Sequence, residues 1–70
     1  MAIFKYVCAD AYGKEYETEV AFYDCGNLNF KDLWVYGVEQ AWTSSVVQLI
    51  REKHNLSGYL TLVGVECIAH

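Results

Sequence analysis

Glu15-Tyr16-Glu17-Thr18-Glu19-Val20 alternates strictly between charged and core-type residues, residues 2–9 are apolar but for Lys5, and Asp10-Ala11-Tyr12-Gly13-Lys14 separates the two stretches. This is the pattern of two strands joined by a tight turn. The turn length follows from which side chains end up opposite one another. A two-residue loop at Tyr12-Gly13 sets Lys5 against Val20 on the core face, where an ammonium is costly. A three-residue loop with Gly13 in the left-handed conformation sets Lys5 against Glu19 instead. That register groups Phe4, Tyr6 and Cys8 with Tyr16, Thr18 and Val20 on one face. Lys5, Val7, Glu15, Glu17 and Glu19 fall on the other.

Beyond the hairpin, Asp24-Cys25-Gly26-Asn27 reads as a turn cluster. Asn29 is placed to cap a helix, with Asp32 near its positive end. From there Trp34, Val38, Ala41, Trp42, Ser45, Val46, Leu49 and Ile50 recur at steps of three and four, the stripe of an amphipathic helix lying on a sheet. The pattern predicts one helix from about Phe30 to His54, with Gly37 as the point where it would break. Arg51, Lys53 and His54 occupy its last turn, where the helix dipole favours cations.

Tyr59 to Ile68 reads as a third strand, but its simple alternation would place Glu66 on the face of Leu60 and Leu62. A bulge at Gly64 turns Leu60, Leu62, Val65 and Cys67 inward and Glu66 outward. The expectation is an α+β fold with strand-strand-helix-strand order. A three-stranded antiparallel sheet is covered on one face by one long helix, in a single domain spanning residues 1–70.

Composition sharpens this picture. Hydrophobic residues make up 54% of only 70 positions, more than so small a body can hide, so part of the apolar surface is expected at an interface. The net charge of -4 argues against direct nucleic-acid binding, which requires cations to neutralise phosphates. It suits a partner with a basic surface. No stretch approaches the ~20 apolar residues of a membrane span. The start Met1-Ala2-Ile3-Phe4-Lys5 does not resemble a secretory leader. Cys8, Cys25 and Cys67 are odd in number and irregular in spacing, and read as reduced thiols of a cytoplasmic protein, two of them buried.

Neither these cysteines nor His54 and His70 form the close pairs of a structural zinc site. A Cys–His nucleophile is open in principle, with Cys25 as its most exposed member, but so small a body leaves little room for a deep pocket. Phosphate-binding glycine loops and basic aromatic stripes are absent. The expectation is a protein without catalytic residues, metal or cofactor.

What remains is the acidic row. Glu15, Glu17 and Glu19 sit two residues apart, so their carboxylates recur at roughly 6.7 Å along an extended strand. That is about two steps of the ~3.4 Å phosphate rise along one nucleic-acid strand. Glu66 widens the row. Tyr12 at the hairpin tip and Tyr23 on the acidic face are aromatic anchors of the sort interfaces favour. A solvated face or a protected sheet edge accounts for the same glutamates.

The hairpin Phe4-Lys5-Tyr6-Val7 … Gly13-Lys14-Glu15-Tyr16-Glu17-Thr18-Glu19-Val20, the helix segment Glu39-Gln40-Ala41-Trp42 and the closing Val63-Gly64-Val65-Glu66-Cys67-Ile68 together resemble small acidic phage and prophage proteins that inhibit host machinery, of the anti-CRISPR type. The resemblance covers most of the chain in residue class. It implies a phage-encoded inhibitor of a host defence or nucleic-acid-processing complex. That inhibitor would bind a host protein or ribonucleoprotein with a basic surface in the host cytoplasm, through Glu15, Glu17, Glu19, Tyr12, Tyr23 and Glu66. The alternative is a homodimeric structural or regulatory module, with Leu33, Val35, Tyr36 and Val47 as the seam.

Overall fold

A computed structural model describes residues 1–25 and 27–70. The turn predicted at Asp24–Asn27 includes Gly26, which lies outside the described residues. Strands β1 (Ala2–Asp10), β2 (Glu15–Phe22) and β3 (Leu60–Ala69) form one antiparallel sheet in the order β2-β1-β3. The hairpin has the predicted register, with Phe4 opposite Val20, Lys5 opposite Glu19 and Tyr6 opposite Thr18. Gly13 adopts φ +83°, and the loop closes by Gly13 N–H donating to Asp10 O and Asp10 N–H to Lys14 O. The Asp10 carboxylate also accepts from the backbone N–H groups of Tyr12 and Lys14.

β1 is the central strand, and its even-numbered side chains Ala2, Phe4, Tyr6 and Cys8 are all fully buried. Burying each of the two aromatics stabilises the fold by roughly 2–3 kcal/mol. Thr18 joins them from β2, with Tyr16 and Val20 packed alongside.

The helical layer departs from the expected single helix. It consists of α1 (Phe30–Thr43) and α2 (Val46–His54), so the order is β-β-α-α-β. Asn29 caps α1 as expected, its side chain accepting from Asp32 N–H at 2.8 Å. The break falls at Ser44-Ser45 and not at Gly37. Thr43, Ser44 and Ser45 all carry hydroxyls that compete with helical bonding. The Thr43 hydroxyl donates back to Glu39 O, and Ser44 Oγ donates to Gln40 Oε1. Ser45 then takes the left-handed conformation at φ 51°, which redirects the chain. Asn55, at φ 55°, ends α2 in the same conformation.

Gly37 stays helical because the sheet requires it there. A methyl group at this position would collide with the Phe4 ring, so only glycine lets α1 come this close. Tyr6 donates its hydroxyl to Gly37 O at 2.7 Å, fixing the same contact from the strand side. As a consequence the buried stripe of α1 is Leu33, Gly37 and Ala41, rotated by about one position from the predicted Trp34, Val38, Ala41 and Trp42. Trp34 and Trp42 are exposed instead. The phase recovers after the break, where Val46 and Ile50 are buried as predicted, although Leu49 is not. Leu33 belongs to the core, and Tyr36 and Val47 pack against it, which leaves Val35 as the exposed member of the dimer seam expected on Leu33, Val35, Tyr36 and Val47.

In β3, Leu60, Leu62, Val65 and Cys67 face the core as predicted. The register shifts twice: between Leu62 and Gly64, which leaves Val63 as the bulged residue beside the predicted site, and between Cys67 and Ala69, which bulges Ile68. α1 lies against β3, and α2 lies against β2.

Two measurements test this packing. Gly37→Ala, which in a free helix stabilises by about 1 kcal/mol, is expected to destabilise by roughly 1–3 kcal/mol in urea denaturation. Adding Phe4→Leu should recover part of the loss. The second concerns pH. Burial raises the Tyr6 phenol from 10.0 to about 12, with Tyr36 nearby adding to the shift. The unfolded chain therefore loses this proton first, so stability is full below pH 10 and falls as pH climbs towards 12. Tyr6→Phe should cost about 1 kcal/mol at neutral pH for the lost hydrogen bond and flatten the alkaline decline.

Candidate protein-binding surface

The helices cover one face of the sheet and leave the other open. On the open face β2 presents Glu15, Glu17 and Glu19, all exposed. β1 presents Ile3, Lys5, Val7 and Ala9, partly shielded by their neighbours, and β3 contributes Glu66. Gly64 lies opposite Val7 on the neighbouring strand, where an added Cβ would sit 3.6 Å from the Val7 Cβ, so the sheet surface beside Val7 is low and apolar. Its profile is a shallow apolar floor with a carboxylate row along one edge.

The predicted row is therefore real, but it is not unopposed. Lys5 stands in its midst, with Nζ 3.8 Å from a Glu17 oxygen and 3.7 Å from a Glu66 oxygen. Register alone suggested Glu19 as its partner. The side chain meets Glu66, its direct cross-strand neighbour on β3, and reaches diagonally to Glu17 on β2, bridging the two outer strands. Such exposed pairs contribute about 0–1 kcal/mol. Among the described residues no cation lies within salt-bridge distance of Glu15 or Glu19. Four carboxylates against the ammonium of Lys5 leave this face anionic.

The aromatic anchors sit at the ends of the row. Tyr12, 95% exposed, projects from the hairpin tip, and Tyr23, 75% exposed, lies just past the end of β2. Tyr23 thus extends the acidic edge and is not part of the strand face. Next to Tyr12 the residues Ala11, Leu56, Tyr59 and Leu60 enclose an apolar hollow of about 150 Å³. That is below the ~300 Å³ of small-molecule sites and near the bulk of one large side chain. The sequence reading missed this hollow, because it forms only when the α2–β3 loop folds against the hairpin tip.

The outer backbone of β2 is partly occupied. Lys53 Nζ donates to Glu17 O at 3.3 Å, and His54 Nε2 donates to the same oxygen at 3.0 Å. A carbonyl can only accept, so His54 carries its proton on Nε2. The His54 ring also rests against Tyr16, with centroids 5.2 Å apart. The basic last turn of α2, expected to serve the helix dipole, thus clamps a strand edge as well.

The thiols do not contribute to this surface. Cys8 is buried in the core, where desolvation raises its pKa and Arg51 only partly offsets the rise. Cys25, expected to be the most accessible, is buried too, with Sγ donating to Phe22 O at 3.6 Å. Cys67 is half-buried under β3. Among the described residues no three His, Cys, Asp or Glu side chains are grouped to hold a metal ion, and no helix is long and apolar enough to cross a membrane.

A second exposed surface went unread in the sequence. Phe30, Trp34, Val38 and Trp42 follow one another at intervals of four along α1, on the flank away from Tyr36. Phe30 is 76%, Trp34 51% and Trp42 72% exposed. The small residues Gly37 and Ala41 beside Leu33 were the available signal, since a close-packing stripe displaces the bulky residues next to it.

Replacing Lys5 by Gln should cost less than about 1 kcal/mol of stability. The cost is expected at low ionic strength and to vanish at 1 M salt, as read by denaturation under both conditions.

Comparison of the chain with protein-family models, with curated proteins and with solved structures finds no match.

Proposed function

We propose that this protein is a binding inhibitor of the anti-CRISPR kind, phage-encoded, which occupies a cationic nucleic-acid site on a host defence or nucleic-acid-processing protein. One observation carries the reading. Three exposed glutamates occupy alternate positions on an uncovered sheet face, where the roughly 6.7 Å two-residue repeat of a strand equals about two axial phosphate steps of a nucleic-acid strand. Charges held on a strand cost less ordering entropy on binding than charges on a loop.

In this mechanism the row of Glu15, Glu17 and Glu19 meets lysines and arginines that otherwise hold phosphate. Glu66 and Lys5 form the far border of the contact. Tyr12 and Tyr23 pack at the two ends, where aromatic side chains contribute most of the affinity. The hollow beside Tyr12 receives one apolar side chain of the partner. Carboxylates set the approach rate and the choice of partner, while the apolar floor of Ile3 and Val7 is desolvated in the complex. The chain supplies no reacting group; inhibition is by occupancy.

The test is capture from nuclease-treated bacterial lysate on the immobilised protein. Wild type is expected to retain a basic protein that heparin displaces, and the Glu15→Gln, Glu17→Gln, Glu19→Gln triple variant should lose it. Wild-type retention should fall at least tenfold between 50 and 300 mM salt. Retention that survives the triple substitution, or that ignores heparin, overturns the reading.

A further inference from the structure

The two edges of the sheet are treated differently. The β2 edge carries the glutamate row and the Lys53 and His54 clamp. The β3 edge has neither. Among the described residues its only side-chain bond to backbone is local, from Cys67 Sγ to Ala69 O. Its one charged residue, Glu66, points to the open face and towards Lys5. Edges left bare in this way are pairing sites unless something blocks them.

Above this edge lies the exposed row of α1. Phe30, Trp34 and Trp42 together present about two whole aromatic side chains to solvent, roughly 400 Å² at ~200 Å² per aromatic. The bulged residues Val63 and Ile68, both exposed, add apolar surface on β3 itself. Two such strips facing each other remove roughly 800 Å² from the aromatics alone. With Val35, Val38, Val63 and Ile68 the total passes the ~1,000 Å² that a specific interface needs.

We propose that this flank of α1 and β3 is a homodimer interface, and that its occupant is a second copy of the chain across a two-fold axis. Two features favour a second copy over an unrelated partner. The strip is bordered on α1 by Lys31 and Glu39, two turns apart. An antiparallel crossing of two α1 helices centred near Val35 sets Lys31 of each copy against Glu39 of the other, which is the self-complementarity of an isologous contact. The same axis, passing through Val65, aligns the β3 edges antiparallel with Gly64 of each copy opposite Glu66 of the other, between the bulges, and joins two sheets into one of six strands. The glutamate rows then stand at opposite outer edges of that sheet, which limits the repulsion between two chains of net charge -4, and each Glu66 near the axis keeps its own Lys5 beside it.

This inference is independent of the inhibitory reading, because it uses none of Glu15, Glu17, Glu19, Tyr12 or Tyr23. Sedimentation velocity of the purified chain at 1–100 µM (about micromolar affinity being ordinary for an interface of this size) is the experiment, with Trp34→Glu and Trp42→Glu as variants. Both positions are exposed, so circular dichroism is expected to be unchanged. Wild type should sediment as a dimer at the upper concentrations, with tryptophan emission shifted to the blue relative to either variant, and both variants should be monomers of 8.0 kDa. A third variant, Lys31→Glu, should weaken the dimer at least tenfold, and Lys31→Glu with Glu39→Lys should restore it. A wild-type monomer at 100 µM overturns the proposal, as does a dimer that survives both tryptophan substitutions.

Discussion

The contact between the Phe4 ring and the bare backbone of Gly37 fixes the distance between helix and sheet, and the remaining packing follows from it. A side chain at residue 37 would hold α1 off the sheet, and the Tyr6 hydroxyl could no longer reach the Gly37 carbonyl. Close approach at one point makes Leu33 and Ala41, one turn to either side, the residues that meet the strands. It also swings Trp34 and Trp42 out to the flank. A single missing methyl group therefore determines which side of α1 is interior and which is available to a partner. The intrinsic cost of glycine in a helix, about 1 kcal/mol, is offset by the burial of Phe4 and Tyr6 that the approach permits.

The strands were legible because their period is short and β2 alternates carboxylates with core residues. Once Lys5 had to avoid Val20, loop length, register and the orientation of Glu15, Glu17 and Glu19 followed together, and the structure has all of them. Glu66 gave away the irregularity in β3 for the same reason: a carboxylate has only one acceptable face. The helical layer was less legible. An apolar residue on a helix can lie on the core stripe or beside it, and periodicity fits Trp34–Val38–Trp42 as well as Leu33–Gly37–Ala41. The choice depended on a contact with residue 4, which local pattern does not contain. Likewise the hydroxyl run Thr43-Ser44-Ser45 marked the break, while glycine, the weaker helix former, was held in place by tertiary contact. The hollow beside Tyr12 joins residues nearly fifty positions apart and had no local signature.

The two helices divide the sheet between them. α1 lies over β3 and α2 over β2, with left-handed Ser45 turning the chain from one side to the other. The polar hardware of the molecule collects on the α2 side: the glutamate row and the cations at the end of α2. The apolar excess collects on the α1 side. An acidic protein with more hydrophobic surface than it can bury thus keeps its two kinds of surface on separate edges, and each can meet a different neighbour.

The strand order has a consequence for how the chain comes together. Because β1 sits between β2 and β3, the middle of the sheet is the earliest strand in sequence, and one of its two neighbours is the latest. The hairpin can zip as soon as its residues exist, but β1 then waits with one side unpaired until positions 60–69 have been made and brought back across about fifty intervening residues. Closing that loop costs entropy before any pairing rewards it. The helical layer docks on a floor that is only two strands wide until then. Completion of the sheet is accordingly late, and a nascent chain lacking β3 exposes the backbone of its own central strand.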